Sequence, residues 1–308
     1  LRRDAAIGPT DPIVPPSRQS WVFDPGWVLT AQPYRRTGPL LPRPAWFLLV
    51  QALEGALDHV GLGDDLRVAA ERLMVEGLLA EDGSLTGDGY LVAEILRSPV
   101  SMIRIDTMAP GHRGTMEVLL DFDIGVSLAT TGPTGSHPLP RDVDVRGVAV
   151  DGLDPMGSPP GVTDGSDPSE PPALVGLEVF ELGWTPATIA SWTGSGPGVP
   201  WLSEPTTLPL DLLQARLTDA ATPPPADLPG RIAEVWSDPW LLWELKAWPS
   251  GERLLVLRVG HRHPVLLSTG SAGGEDRVGL TPVSPYTLWR TLIALVRRAL
   301  VAGADELR

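Results

Sequence analysis

No cysteine occurs in the 308 residues. That excludes a disulfide framework, thiol catalysis and thiolate-held metals, and it suits a reducing compartment. Lysine is nearly missing too: Lys246 is the one lysine among 24 basic side chains. So arginine-heavy a chain reads as GC-rich coding bias of the actinobacterial kind, although arginine surfaces also grip protein partners well. Positive charge is in deficit, with a formal net charge of −14 and a pI near 4.7. Phosphate backbones are bound by clustered cations that release counterions, so nucleic acid is not an expected partner. Long apolar runs are also lacking. The best, residues 45–50, is far shorter than the roughly 20 residues that cross a bilayer. With no stretch resembling a signal peptide, a cytoplasmic protein without a membrane span is expected.

What is present is enough for a sizeable core: 43% of residues are apolar, and 11 tryptophans are spread along the chain. Residues 1–43 are the exception. Their prolines remove backbone donors and fix φ, which predicts a mostly mobile arm with short extended pieces such as 27–30. From residue 44 the spacing changes. Long apolar residues at helical intervals predict helices over 45–57, 64–78 with Asp64 as the N-cap, and 90–97, ending before Pro99. Alternating strands follow at 102–108, 115–122, 124–130 and 142–150. Residues 151–173 are rich in Pro, Gly and acidic side chains and hold no aromatic, so they read as a disordered insertion. Strand pattern returns at 174–182, then a short helix at 185–192 with a Thr cap and proline at its first position.

The remainder reads as helices at 209–220 and 228–236, strands at 240–248, 253–259, 265–268 and 277–283, and a closing helix over 285–301. Leu288, Leu292, Leu295 and Val296 form the core stripe of that helix.

The stretch at 98–108 is repeated at 238–248. An offset of 140 places Pro99 on Pro239, Ile103 on Trp243 and Ile105 on Leu245, with Arg104 and Asp106 exchanged for Glu244 and Lys246. At 138, Val118 meets Val256 and the LATTG at 128–132 meets the LLSTG at 266–270. Beyond the insertion, Val175 and Leu177 meet Val278 and Leu280, and Thr185-Pro186 meets Ser284-Pro285. Punctuation and element order therefore match as well as strand parity. Each half alone would expose an apolar sheet face, which the two can bury together. The fold class expected is α+β: one pseudo-two-fold duplicated domain over 44–301, with a central antiparallel sheet flanked by helices. Its half-repeats are 64–192, carrying the insertion, and 207–301. The swapped charges would suit first strands that meet across that sheet.

Catalytic signatures are scarce. There is no Gly-x-Ser-x-Gly elbow, and His59, His112, His137, His261 and His263 lie in no motif. His261 and His263 could form a metal pair for a hydrolase, but they fall at a hairpin turn, where solvated histidines are commoner. Asp121 with Asp123, and Asp142 with Asp144, are same-face carboxylates more in keeping with strand ends. The glycines at 194–196 and 270–274 lack the lysine of a phosphate loop. A winged-helix regulator built on 64–98 is a further alternative that the acidic charge disfavours.

The GLLAEDGSL turn, the AEILRSP helix exit and the LLSTGSAGGEDRVGLTPVSPYTLWRTLIALV ending resemble the EspG family, ESX (type VII) secretion-associated proteins of actinobacteria. The resemblance covers order and texture over residues 45–300; the proline-rich arm and the acidic insertion depart from it. It implies a pseudo-two-fold fold and a cytosolic chaperone without cofactor or catalytic residues. Such a chaperone binds the apolar tip of a helical-hairpin substrate, PE/PPE-like or WXG-type, and keeps it soluble for export. Contact residues expected from this sequence are Trp248, Arg258, Trp289 and Arg290, because Trp and Arg dominate interface hot spots.

Overall fold

The computed structural model describes residues 38–42, 44–58, 61–130, 174–196, 198–272 and 275–308. The arm up to residue 37, the strand expected at 142–150 and the insertion 151–173 lie outside the described residues.

Ten strands form one antiparallel sheet: β1 (Leu40–Pro42), β2 (Ser101–Ala109), β3 (His112–Leu120), β4 (Ile124–Ala129), β5 (Leu174–Glu181), β6 (Thr206–Pro209), β7 (Trp240–Trp248), β8 (Arg253–Val259), β9 (Val265–Ala272) and β10 (Glu275–Pro282). Their spatial order, β1-β5-β4-β3-β2-β7-β8-β9-β10-β6, reads the same outward from its centre in both directions. The two-fold axis passes through one residue pair. Ile105 and Leu245, counterparts in the repeat, are also direct partners across β2 and β7. Burial alternates identically along 101–108 and 241–248. The α+β fold is the one that the repeat predicts.

Two details of the repeat are corrected. Val118 pairs with Ser127 whereas Val256 pairs with Leu266, so the counterpart of Leu266 is Ser127 rather than Leu128. The offset between halves is 140 at β2 and β7 (105 to 245), 138 at β3 and β8 (118 to 256) and 139 at β4 and β9 (127 to 266), as hairpin turns of unequal length permit. The exchanged charges, moreover, do not face their opposites. Antiparallel pairing about an axis reverses order, so Arg104 stands opposite Lys246 and Asp106 opposite Glu244. Like charges directly opposed are unfavourable. They are offset within each strand, Arg104 to Asp106 at 3.1 Å and Lys246 to Glu244 at 3.5 Å, and by Glu117 and Arg253 on the neighbouring strands.

Seven α-helices are described: α1 (Pro44–Gln51), α2 (Asp64–Val75), α3 (Gly87–Arg97), α4 (Thr185–Thr193), α5 (Leu210–Thr218), α6 (Gly230–Glu234) and α7 (Pro285–Glu306). On one sheet face α4 and α7 cover Ile103, Ile105, Met116, Val118, Trp243, Leu245 and Val256. The other face is covered in two parts. Helices α1 to α3 pack on β1, β4 and β5, and α5 and α6 pack on β8, β9 and β10.

Local chemistry sets the helix ends. Asp64 is not the cap of α2: Gly63 is, and the Asp64 carboxylate in the first turn pairs with Arg67 at 2.7 Å. An acidic side chain there still favours the positive end of the helix dipole. Thr86 caps α3 by accepting the Gly89 N–H at 3.0 Å. Gly89 must be glycine, since a Cβ would lie 1.9 Å from the Leu78 carbonyl. The loop before α3 closes through a Leu79–Leu85 bridge, which makes it a small hairpin between two packed helices. Thr185 sits inside α4, not at its cap, because the 3-10 turn Leu182–Trp184 runs straight into the helix. Its hydroxyl donates to the Leu182 carbonyl at 2.8 Å. Ser284 caps α7 by accepting from Thr287, and Leu288, Leu292, Leu295 and Val296 are buried as their spacing predicts.

Helix α7 continues beyond 301 because Gly303 lets its backbone lie on Val100. A Cβ at 303 would meet the Val100 carbonyl at 1.8 Å. Gly303→Ala is therefore expected to cost about 1–3 kcal/mol through overpacking. Leu245→Ala, on the axis, should cost about 2–5 kcal/mol through cavity formation. Urea unfolding of the two variants checks both values.

Candidate partner-binding surface

Helix α7 presents two sides of unlike chemistry. One carries the core stripe. On the outer side Tyr286, Ile293 and Val301 are 53%, 45% and 56% exposed, and the exposed Arg290 and Arg297 alternate with them. Spacings of three and four residues hold these five side chains on one ridge. The Arg290 guanidinium lies 5.8 Å from the Tyr286 ring centroid, a cation–π distance that orders both side chains. Among the described residues neither Arg290 nor Arg297 has a carboxylate partner, although Arg298 is paired with Glu252. A shallow cleft of about 380 Å³ runs beside the ridge, lined by Tyr286, Thr287, Arg290, Thr291, Ala294 and Arg298. In a chain of net charge −14, an unpaired cationic and apolar ridge is unusual. It matches the composition of partner-binding surfaces, where aromatic and arginine side chains are enriched.

Of the contact residues expected from the sequence, Arg290 lies on this ridge. Trp289 is its half-buried neighbour on α7. Trp248 belongs to the opposite sheet face, since it alternates with the buried Ala247. It is half-buried rather than exposed, and its carbonyl accepts the Ser101 hydroxyl at 2.8 Å. Arg258 is enclosed. Its Nη1 donates to the Gly194 carbonyl at 2.6 Å, at the end of α4, where the helix dipole is negative. Burial lowers its pKa, and its Nε has no partner among the described residues. The four do not converge on one surface. Tyr286, Ile293, Arg297 and Val301 were not anticipated, although their spacing could be read as the face of α7 opposite the core stripe.

The remaining candidates lie away from this ridge. His261 and His263 flank Arg262, whose guanidinium pairs with Asp238 at 3.0 Å, and the His263 carbonyl accepts the Trp201 indole at 2.9 Å. No group of three or more His, Asp or Glu side chains suited to a metal occurs among the described residues. Asp121 and Asp123 are in the β3–β4 turn, Asp121 accepting from the Phe122 N–H at 2.8 Å. Gly194 adopts a left-handed φ of 63° and ends α4. The Ser195 hydroxyl lies between Thr193 and the Trp243 indole, which makes residues 194–196 a packing element. Arg216 lies over Trp236 and Trp240 and donates to the carbonyls of Trp236 and Asp238, tying α5 to the approach to β7. No described helix is long and apolar enough to cross a membrane. His59, His137, Asp142 and Asp144 lie outside the described residues.

No protein-family model matches the sequence, and no curated protein matches it. Among solved structures, the chain is similar to the Mycobacterium tuberculosis type VII secretion system chaperone EspG5, solved in complex with a PE25–PPE41 dimer. Identity is 7%, the match covers 86% of this chain and 96% of that one, and the TM-score is 0.44. The likeness is too distant to carry a function from one chain to the other.

Two outcomes separate structural from surface groups. Arg258→Ala removes a charge-assisted hydrogen bond to the Gly194 carbonyl, which keeps the Gly196 N–H at 3.0 Å, and should cost about 1.5–3 kcal/mol. Arg290→Ala should stay within about 0.5 kcal/mol, as exposed substitutions do; chemical denaturation measures both. For pH, burial lowers the pKa of His112 from its usual 6.5, so the folded protein holds it neutral. Below that pH the unfolded chain takes up a proton that the fold declines. The His112 contribution is therefore complete above 6.5 and falls away as acid approaches the lowered folded value. Unfolding of His112→Gln across pH 4 to 8 (about the range in which an imidazole titrates) should give a flatter profile in that window.

Proposed function

We propose that this protein is a cytosolic chaperone or adaptor without catalytic function. It binds a helical-hairpin export substrate of the PE/PPE-like or WXG type and keeps that substrate soluble for a type VII secretion machine. The observation that carries the reading is the outer ridge of α7. A helical-hairpin tip offers apolar side chains at three- and four-residue spacing, the pattern that the Tyr286, Ile293 and Val301 ridge can receive. Arg290 and Arg297, left without carboxylate partners, would meet acidic side chains flanking that apolar tip and set its orientation. The family resemblance of the sequence supports the same reading, and a rigid docking surface requires neither metal nor cofactor. Of the residues expected as contacts, Arg290 is on this ridge and Trp289 beside it, whereas Trp248 is on the opposite sheet face and Arg258 is turned to the end of α4.

Co-expression with a helical-hairpin substrate encoded nearby should yield a stable stoichiometric complex. Reversing both charges, Arg290→Glu with Arg297→Glu, should weaken the complex at least about tenfold, equivalent to about 1.4 kcal/mol, without lowering the thermal midpoint of the chaperone. Full retention of the substrate by the reversed variant would exclude α7 as the docking face. Failure of every such hairpin to bind the unaltered protein would exclude the function.

A further inference from the structure

Helix α2 carries an outer ridge patterned like the one on α7 but of opposite charge. Asp64, Val68, Glu71 and Val75 are all exposed, Val68 by 56% and Val75 by 75%. They follow one another at steps of four, three and four residues, and so do Tyr286, Arg290, Ile293 and Arg297. Such steps hold each set on one side of its helix. Glu71 has no cationic partner among the described residues, since the adjacent Arg72 is paired with Glu76 at 2.6 Å, and Asp64 meets Arg67 through one oxygen, Oδ1. The surroundings carry the same signs. Residues 44–97 hold ten acidic side chains against three arginines, whereas residues 286–301 hold three arginines and no acid.

Laid antiparallel, the two ridges match position for position. Val75 then meets Tyr286, Glu71 meets Arg290, Val68 meets Ile293 and Asp64 meets Arg297. The unshifted parallel alignment sets Asp64 on Tyr286 and Val68 on Arg290, which puts every charge against an apolar side chain. Antiparallel helices also oppose their dipoles favourably. Alternating four- and three-residue steps are the pattern of helices that pack through a narrow apolar seam, with charges setting partner and orientation. Within one molecule α2 and α7 cover opposite faces of the sheet, so the match can be made only between copies.

We propose that copies of this chain associate head to tail, the α2 ridge of one seated on the α7 ridge of the next. Each contact leaves one α2 and one α7 free on opposite sides of the pair, so association extends to short chains rather than closing at a two-fold dimer. The matched stretch is about 16 Å of helix, which makes a small and reversible interface. Association occupies the surface assigned above to a hairpin substrate, and that competition alone rests on the function proposed for α7.

Sedimentation of the unaltered full chain should show a mass that climbs past the dimer as concentration is raised. Arg290→Glu with Arg297→Glu, and separately Asp64→Arg with Glu71→Arg, should each remain monomeric, because each variant has two ridges of one sign. An equimolar mixture of the two should associate again. Thiol linking supplies a second readout, since the chain has no cysteine of its own. On mild oxidation, Val68→Cys mixed with Ile293→Cys should give at least about tenfold more linked dimer than Val68→Cys mixed with Glu204→Cys, a control at another exposed position. These substitutions leave both charge sets and the core in place. An unaltered chain that stays monomeric at every concentration overturns the proposal, as does a mixture of the folded charge variants that fails to associate or a thiol pair that links no better than its control. Ile293→Cys linking chiefly to itself would assign the ridge to a symmetric pair of α7 helices and overturns it too. No substrate is present in these measurements, so a protein that binds a hairpin yet never self-associates refutes this inference and leaves the function standing.

Discussion

Pairing between β2 and β7 is the contact on which the architecture depends. Each half has strands that are apolar on the face shared by α4 and α7, and each would end at an open strand carrying Ile103 and Ile105, or Trp243 and Leu245. Joining those strands removes both open edges and merges two half-cores into one. It also brings like charges opposite one another on the other face, Arg104 against Lys246 and Asp106 against Glu244. Ion pairs along and beside the two strands hold that strip together. The edges that remain, β1 and β6, are short, and each ends in a proline, Pro42 or Pro209. Short proline-terminated edges are poor templates for further strand addition.

Symmetry accounts for stability, whereas the departures from symmetry are where surfaces become available. Helices α4 and α7 are counterparts, yet α4 has 9 residues and α7 has 22. The longer helix packs on both β2 and β7 and still keeps a full outer side clear of the core. Arginine and apolar side chains on that side have no internal role that explains them. Arg258 and Arg216 show the contrast: the first is half-buried and the second buried, both donate to backbone carbonyls, and both tie elements together. The second departure is at the hairpin turns, where Trp201 covers one turn and aromatic side chains stand open at its counterpart.

Strand alternation, the proline and glycine punctuation and the capping residue Ser284 were legible because they act through neighbours in sequence. They determined β7 and β8 residue for residue, the core stripe of α7 and the duplication itself. Edge strands β1 and β6 were not legible. Three or four residues beside prolines have no periodicity of their own, and only β5 and β10 hold them in line. The two helix caps misread, Asp64 and Thr185, turn on how the preceding segment enters the helix, which a composition of good capping residues does not specify.

Residue types narrowed the candidate surface to tryptophan and arginine but could not say which of them are enclosed. Arg258 and Arg290 are alike in sequence. One faces the end of α4 and the other faces solvent, and that difference arises from the packing of helix on sheet. By itself the sequence determined the α+β class, the two-fold repeat and the polarity of each strand, because those follow from alternation along the chain. The tertiary structure alone decided which charges meet at the axis, which arginines have no carboxylate partner among the described residues and which turn has exposed aromatic side chains beside it. Each of these depends on the distance between segments remote in sequence.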